Sequence, residues 1–188
     1  SSAFILMPCM LGLAAIAKPL VEILLTDKWL PCVPFMQLSC IAFVFYPIHT
    51  ANLTAINALG RSDISLKLEI IKKTIAIITL LVTIPLGIYA MAIGQVIQTF
   101  IISFINAYPN KKLMDYSYFE QIKDLMPSFI LSVVMGVVVW FFHFIHIQQV
   151  ILLIVQIISG IGIYVLLAKL SKNETFNYLI STLREVRK

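Results

Sequence analysis

Four stretches of this chain contain no Asp, Glu, Lys or Arg: residues 1–17, 29–60, 74–110 and 125–168. A helix rises about 1.5 Å per residue, so roughly 18–20 apolar residues cross the ~30 Å core of a bilayer. A soluble domain has no need of runs this long. Composition agrees, since 12% of the residues are charged, about half the ~25% of an ordinary soluble domain. Inside hydrocarbon every backbone N–H and C=O must be bonded internally, which admits only helices or closed barrels. Runs this long and continuous point to helices, and the chain is expected to be an all-α polytopic membrane helix bundle.

Six spans fit: residues 3–17, 33–59, 70–86, 88–107, 125–142 and 150–168, called A to F. Pro47 is expected to kink B, because proline lacks a backbone donor. Gly87 and the segment 143–149 leave only tight turns in C–D and E–F. The Lys and Arg counts of the connections then alternate. B–C, D–E and the tail hold 12, while A–B, C–D and E–F hold 2. By the positive-inside rule the B–C and D–E loops and the C-terminus are cytoplasmic. The chain opens inside an apolar run without Met and is expected to be a cut through a longer protein.

The cytoplasmic pieces carry helix signals. Asp63/Lys67 and Glu69/Lys73 are acid-before-base pairs at i,i+4, the favourable order on a helix. Ser117 to Glu120 reads as a capping box leading into span E, and Ser171 to Glu174 repeats it in the tail. Phe176, Leu179, Ile180, Leu183 and Val186 follow helical spacing, with Arg184, Arg187 and Lys188 on the polar side. A basic amphipathic helix on the inner leaflet is expected. The organisation is then four helices over 1–107, a cytoplasmic linker helix over 108–124, a helix pair over 125–168 and the tail over 169–188.

Polar side chains concentrate on two spans. On D, Gln95, Gln98, Thr99, Ser103 and Asn106 fall within an arc of about 140° at 100° per residue. On B, Gln37, His49 and Asn52 share one arc, and Ser39, Thr50, Thr54 and Asn57 share another. In hydrocarbon such groups need partners or water. Either they bond across packed helices or they line a wet cavity. The cavity reading makes Gln95, Gln98, Thr99, Ser103, Gln37, His49, Asn52 and Asn57 its lining. Arg61 sits at its cytoplasmic rim, just past Gly60, which can end the helix.

Several chemistries are excluded. No Asp or Glu lies within a span, and no catalytic or nucleotide-binding motif is present. Cys9, Cys32 and Cys40 have no metal spacing and read as small hydrophobes. His143 and His146 lack a third ligand. No catalytic residue, cofactor or metal is expected. The +5 charge is spread over loops, so no nucleic-acid partner is expected either.

The stretches from Lys18 to Lys73, Pro85 to Ile101 and Tyr116 to Gly136 resemble the C-terminal half of bacterial polysaccharide flippases. These are the lipopolysaccharide and O-antigen exporters of the multidrug/oligosaccharidyl-lipid/polysaccharide superfamily. One departure is Ala90, which follows Gly87 where the family usually has a second glycine. The resemblance implies about fourteen helices in two lobes plus a final pair, with this chain holding the last six. It implies a bacterial inner-membrane protein, not an enzyme, that flips polyprenyl-diphosphate-linked oligosaccharide by alternating access. Its partners would be that substrate, membrane lipids and the missing N-terminal helices. A multidrug or cation antiporter of the same superfamily and a membrane-embedded polysaccharide-processing enzyme are the alternatives.

Overall fold

The computed structural model describes residues 2–144, 148–171, 175, 176 and 178, and its regular structure there is entirely helical. Eight α-helices follow in order: α1 Ser2–Ala15, α2 Ala17–Leu25, α3 Val33–Phe43, α4 Tyr46–Ala58, α5 Ser62–Thr83, α6 Ile88–Met114, α7 Tyr118–Phe141 and α8 Gln149–Leu170. Short 3₁₀ turns occupy Asp27–Cys32, Ile84–Leu86 and Phe142–Phe144.

Among the described residues four segments are long and apolar enough to cross a membrane: Asp27–Ala58, Ile88–Met114, Tyr118–Phe141 and Gln149–Leu170. The bent pair α1–α2 makes a fifth if counted as one broken span. The chain is therefore a multi-pass helical membrane protein. The expected six is reduced at α5. Residues 62–73 carry Asp63, Lys67, Glu69, Lys72 and Lys73, and the charge-free run from Thr74 to Leu86 covers only about 20 Å at ~1.5 Å per residue.

Prolines explain the breaks. Pro47 has no N–H for the carbonyl of Phe43, and the helix of span B breaks between α3 and α4. Pro19 likewise withholds a donor from Ala15, where α1 and α2 meet at 67°. Pro109 and Pro127 are accommodated inside α6 and α7.

The chain divides into two compact units, Ser1–Gln37 with Leu125–Lys188, and Leu38–Asp124. In the first, Phe4, Met135, Val139, Tyr164 and Ala168 form a buried apolar cluster. Polar side chains here close gaps in the backbone ladder. Pro8 offers no N–H to the Phe4 carbonyl, and the Tyr164 hydroxyl donates to it instead at 2.8 Å. The Gln37 amide donates to the Ala14 carbonyl at 3.1 Å, next to the α1–α2 bend. The Gln156 amide donates to the Val139 carbonyl at 3.1 Å, near the end of α7.

In the second unit α5 and α6 pack as a hairpin through Gly87, which adopts φ +94°. They approach so closely that a Cβ on Gly94 would lie 2.9 Å from Thr83 Cγ2. Gly60, at φ +70°, ends α4 as expected. The Arg61 N–H reaches back to the Ile56 carbonyl (3.2 Å) and the Gly60 N–H to the Asn57 carbonyl (3.0 Å), a Schellman closure. The capping box before α7 also forms. The Ser117 N–H donates to the Glu120 carboxylate (2.7 Å), and the Glu120 N–H to Ser117 Oγ (3.3 Å). The acid–base pairs differ from expectation. Asp63 pairs with Arg61 at 3.1 Å and Glu69 with Lys72, because these neighbours lie closer than the i,i+4 lysines. Within the tail, residues 172–174, 177 and 179–188 lie outside the described residues, as do His146 and the side chain of His143.

Candidate functional site

The polar groups expected on spans B and D meet in the second unit, where α4 packs on α6. Their roles divide along α6. At its C-terminal end they are buried and bonded across helices. His49 and Asn106 meet at 2.9 Å, imidazole Nδ1 to amide Nδ2. Asn52 donates to the Ile48 carbonyl at 2.8 Å and to Gln121 Oε1 at 2.7 Å, and Asn110 donates to Asn52 Oδ1. Asn110, Asn52 and Gln121 thus form a directional chain of three amides joining α6, α4 and the start of α7. Each is at most 6% exposed.

That chain is incomplete at both ends. Asn110 Oδ1 and Gln121 Nε2 are buried and have no hydrogen-bond partner among the described residues; Ser103 Oγ and Asn106 Oδ1 share that state. An unpaired buried polar atom costs about 1–3 kcal/mol. Such a cost is unusual for groups that serve only as packing.

Nearer the N-terminus of α6 the character changes. The break between α3 and α4 opens a hollow of about 110 Å³ lined by Ala42, Phe43, Tyr46, His49, Gln95 and Thr99. Gln95 is exposed and Thr99 half-exposed, and the Thr99 hydroxyl donates to the Gln95 carbonyl at 2.9 Å. Phe43 and Tyr46 flank the break with ring centroids 6.1 Å apart, each 48% exposed. Three of the expected lining residues (His49, Gln95 and Thr99) are brought together here.

The remaining expected residues are placed elsewhere. Ser103 is buried one turn past Thr99, and Gln98 is half-buried on the same helix. Asn57 is exposed and accepts a hydrogen bond from Ser65 at 2.6 Å. Gln37 belongs to the first unit. Arg61 is exposed and bonds the Asp63 carboxylate through Nε (3.1 Å) and Nη2 (3.2 Å). That contact holds the Asp63 carboxyl below its ordinary range. At the α6–α7 turn, burial pushes the Tyr116 phenol up to about 12, reinforced by its hydrogen bond to Asp124. Among the described residues no three His, Cys, Asp or Glu side chains are grouped to hold a metal.

Sequence reading missed Asn110, Gln121, Gln156 and the buried Ser128 and Ser132. Asn110 had a signal, for it continues the arc of Thr99, Ser103 and Asn106 one turn beyond the expected end of span D. Gln156 is the one amide of α8 beyond its first residue, Gln149, and such isolation inside hydrocarbon is itself a sign of a bonded role.

Fold and site thus define a polytopic helical membrane protein with a small uncharged hollow, lined by aromatic and polar side chains, beside the buried amides that join α4 and α6. Residues 1–34 match a family profile described as polysaccharide biosynthesis protein. The chain is also similar to an uncharacterized membrane protein in the cps region of Klebsiella pneumoniae. The two are 27% identical over 188 residues, covering 92% of this chain and 36% of the relative. The chain therefore spans about a third of that relative's length. No solved structure matches it significantly.

Proposed function

We propose that this chain is part of a bacterial inner-membrane protein of surface polysaccharide biosynthesis that flips lipid-linked oligosaccharide repeat units by alternating access. The observation that carries the reading is the lining formed by exposed Tyr46 and Gln95 with half-exposed His49 and Thr99, on an α6 whose outer face is otherwise mostly Ile and Phe. An amide left on hydrocarbon is costly, so this face suits water or a polar solute. The family match and the relative support the biosynthetic role. The hollow's lining carries no carboxylate, which gives a cationic drug no counter-charge there and favours a glycan over drug antiport.

Deleting the gene tests the reading. The expected result is accumulation of lipid-linked repeat units on the cytoplasmic leaflet and loss of the corresponding surface glycan, measured by leaflet-selective glycosidase digestion. Unchanged surface glycan in the deletion strain overturns it.

A further inference from the structure

We infer that the hollow at the α3–α4 break is a subsite for one uncharged, hydroxyl-rich ring, a pyranose unit of the glycan. This inference rests on the flipping reading above and assigns it a place of contact. It begins from what the lining lacks. None of its six residues is Lys, Arg, Asp or Glu, so the lining itself offers neither a diphosphate nor a cation the counter-charge that a partly dehydrated ion needs.

What the lining has is a two-sided chemistry. Phe43 and Tyr46 present aromatic faces, while His49, Gln95 and Thr99 present imidazole, amide and hydroxyl groups. A pyranose has the same division, with an apolar C–H face and a rim of hydroxyls that both donate and accept. Aromatic surface matches the first and planar polar groups match the second, as in pockets where a few placed polar groups orient a ligand on apolar walls.

His49 fits this use. Its Nδ1 is engaged by Asn106, which leaves Nε2 as the ring nitrogen for a ligand. In the neutral ring Nε2 takes whichever role Nδ1 does not, and a sugar hydroxyl meets either. Asn106 is itself 1% exposed, so the imidazole is held by a buried amide. The size is consistent with partial entry. A volume of about 110 Å³ holds three to four waters at roughly 30 Å³ each, enough for one edge of a ring whose remainder lies over the aromatic rim. Pro47 is the origin of the subsite, because the helix break it imposes sets Phe43 and Tyr46 on the two sides of the opening.

The test uses the full-length protein in membranes, with Cys9, Cys32 and Cys40 replaced by Ala and Thr99→Cys as the reporter. Its reaction rate with a charged methanethiosulfonate is measured alone and with methyl glucoside, methyl galactoside, N-acetylglucosamine, pyrophosphate or glycerol. At least one pyranoside is expected to slow labelling about threefold at twice its dissociation constant, by mass action. Pyrophosphate and glycerol are expected to leave the rate unchanged. Tyr46→Leu should abolish the protection while labelling persists, and Tyr46→Phe should retain it. Labelling that no pyranoside slows overturns the subsite and leaves the flipping reading standing. Protection by pyrophosphate alone overturns it in favour of an anion site. No labelling at Thr99→Cys overturns both.

Discussion

Within the spans, three polar side chains are explained by where proline or a helix end has freed a carbonyl. Tyr164 serves Phe4, Gln37 serves Ala14 and Gln156 serves Val139. The first of these can be tested by restoring the missing donor. Tyr164→Phe leaves the Phe4 carbonyl unbonded in a buried cluster and should cost about 1–2 kcal/mol, within the range for an unsatisfied buried group. Pro8→Ala returns an N–H to position 8, so in that background the same change should cost markedly less. A double-mutant cycle on thermal stability in detergent measures the difference. Equal costs in both backgrounds would show that the hydroxyl does not act through the freed carbonyl.

Among the elements, the helices themselves were legible in the sequence because charge-free runs and cap signals are local. The Ser117–Glu120 box, the Gly60 terminus and the Pro47 break all depend on residues within one or two turns. Partner choice was not legible, because a polar arc on one helix does not say what it faces. Ser103, Asn106, Gln95 and Thr99 share one arc, yet the structure buries the first pair and exposes Gln95. Helix length shows the same limit. Ending span D near Ala107 hid Asn110, since an internal proline removes one donor without stopping α6. The α5–α6 hairpin gives the element-scale prediction. A Cβ at Gly94 would meet Thr83 Cγ2 at 2.9 Å and Thr79 Cγ2 at 3.1 Å. Both contacts are β-branched side chains held in place, Thr83 by its hydrogen bond to the Thr79 carbonyl at 2.7 Å. Gly94→Leu should therefore force the two helices apart and lower stability by about 1–3 kcal/mol, while Gly162→Leu, where nothing lies within 4 Å, should be near neutral. Membrane expression and melting temperature of the two variants decide it.

For the whole molecule, hydropathy and charge disagree about α5. By length and composition it is not a span, since five charged residues lie within 62–73. The positive-inside bias requires the opposite. If α5 failed to cross, α6 alone would separate Arg61, Lys67, Lys72 and Lys73 from Lys111, Lys112 and Lys123, and the basic loops would fall on opposite sides of the membrane. The local physics favours crossing. Lys72 is paired with Glu69, which lowers the cost of bringing both toward the interface, and long Lys stems let the ammonium groups snorkel to the headgroups. The apolar remainder from Thr74 to Leu86 then needs only a locally thin bilayer or a sister helix, a mismatch that costs fractions of a kcal/mol per Å. Packing against α6 along a glycine-mediated contact provides the sister helix. The expected outcome is that Cys introduced at Lys67 and at Lys111 react with an impermeant maleimide from the same side of sealed vesicles, and Cys at Gly87 from the other. Reaction of the Lys67 and Gly87 positions from one side would make α5 a surface helix, and the alternation of basic loops would then be coincidental.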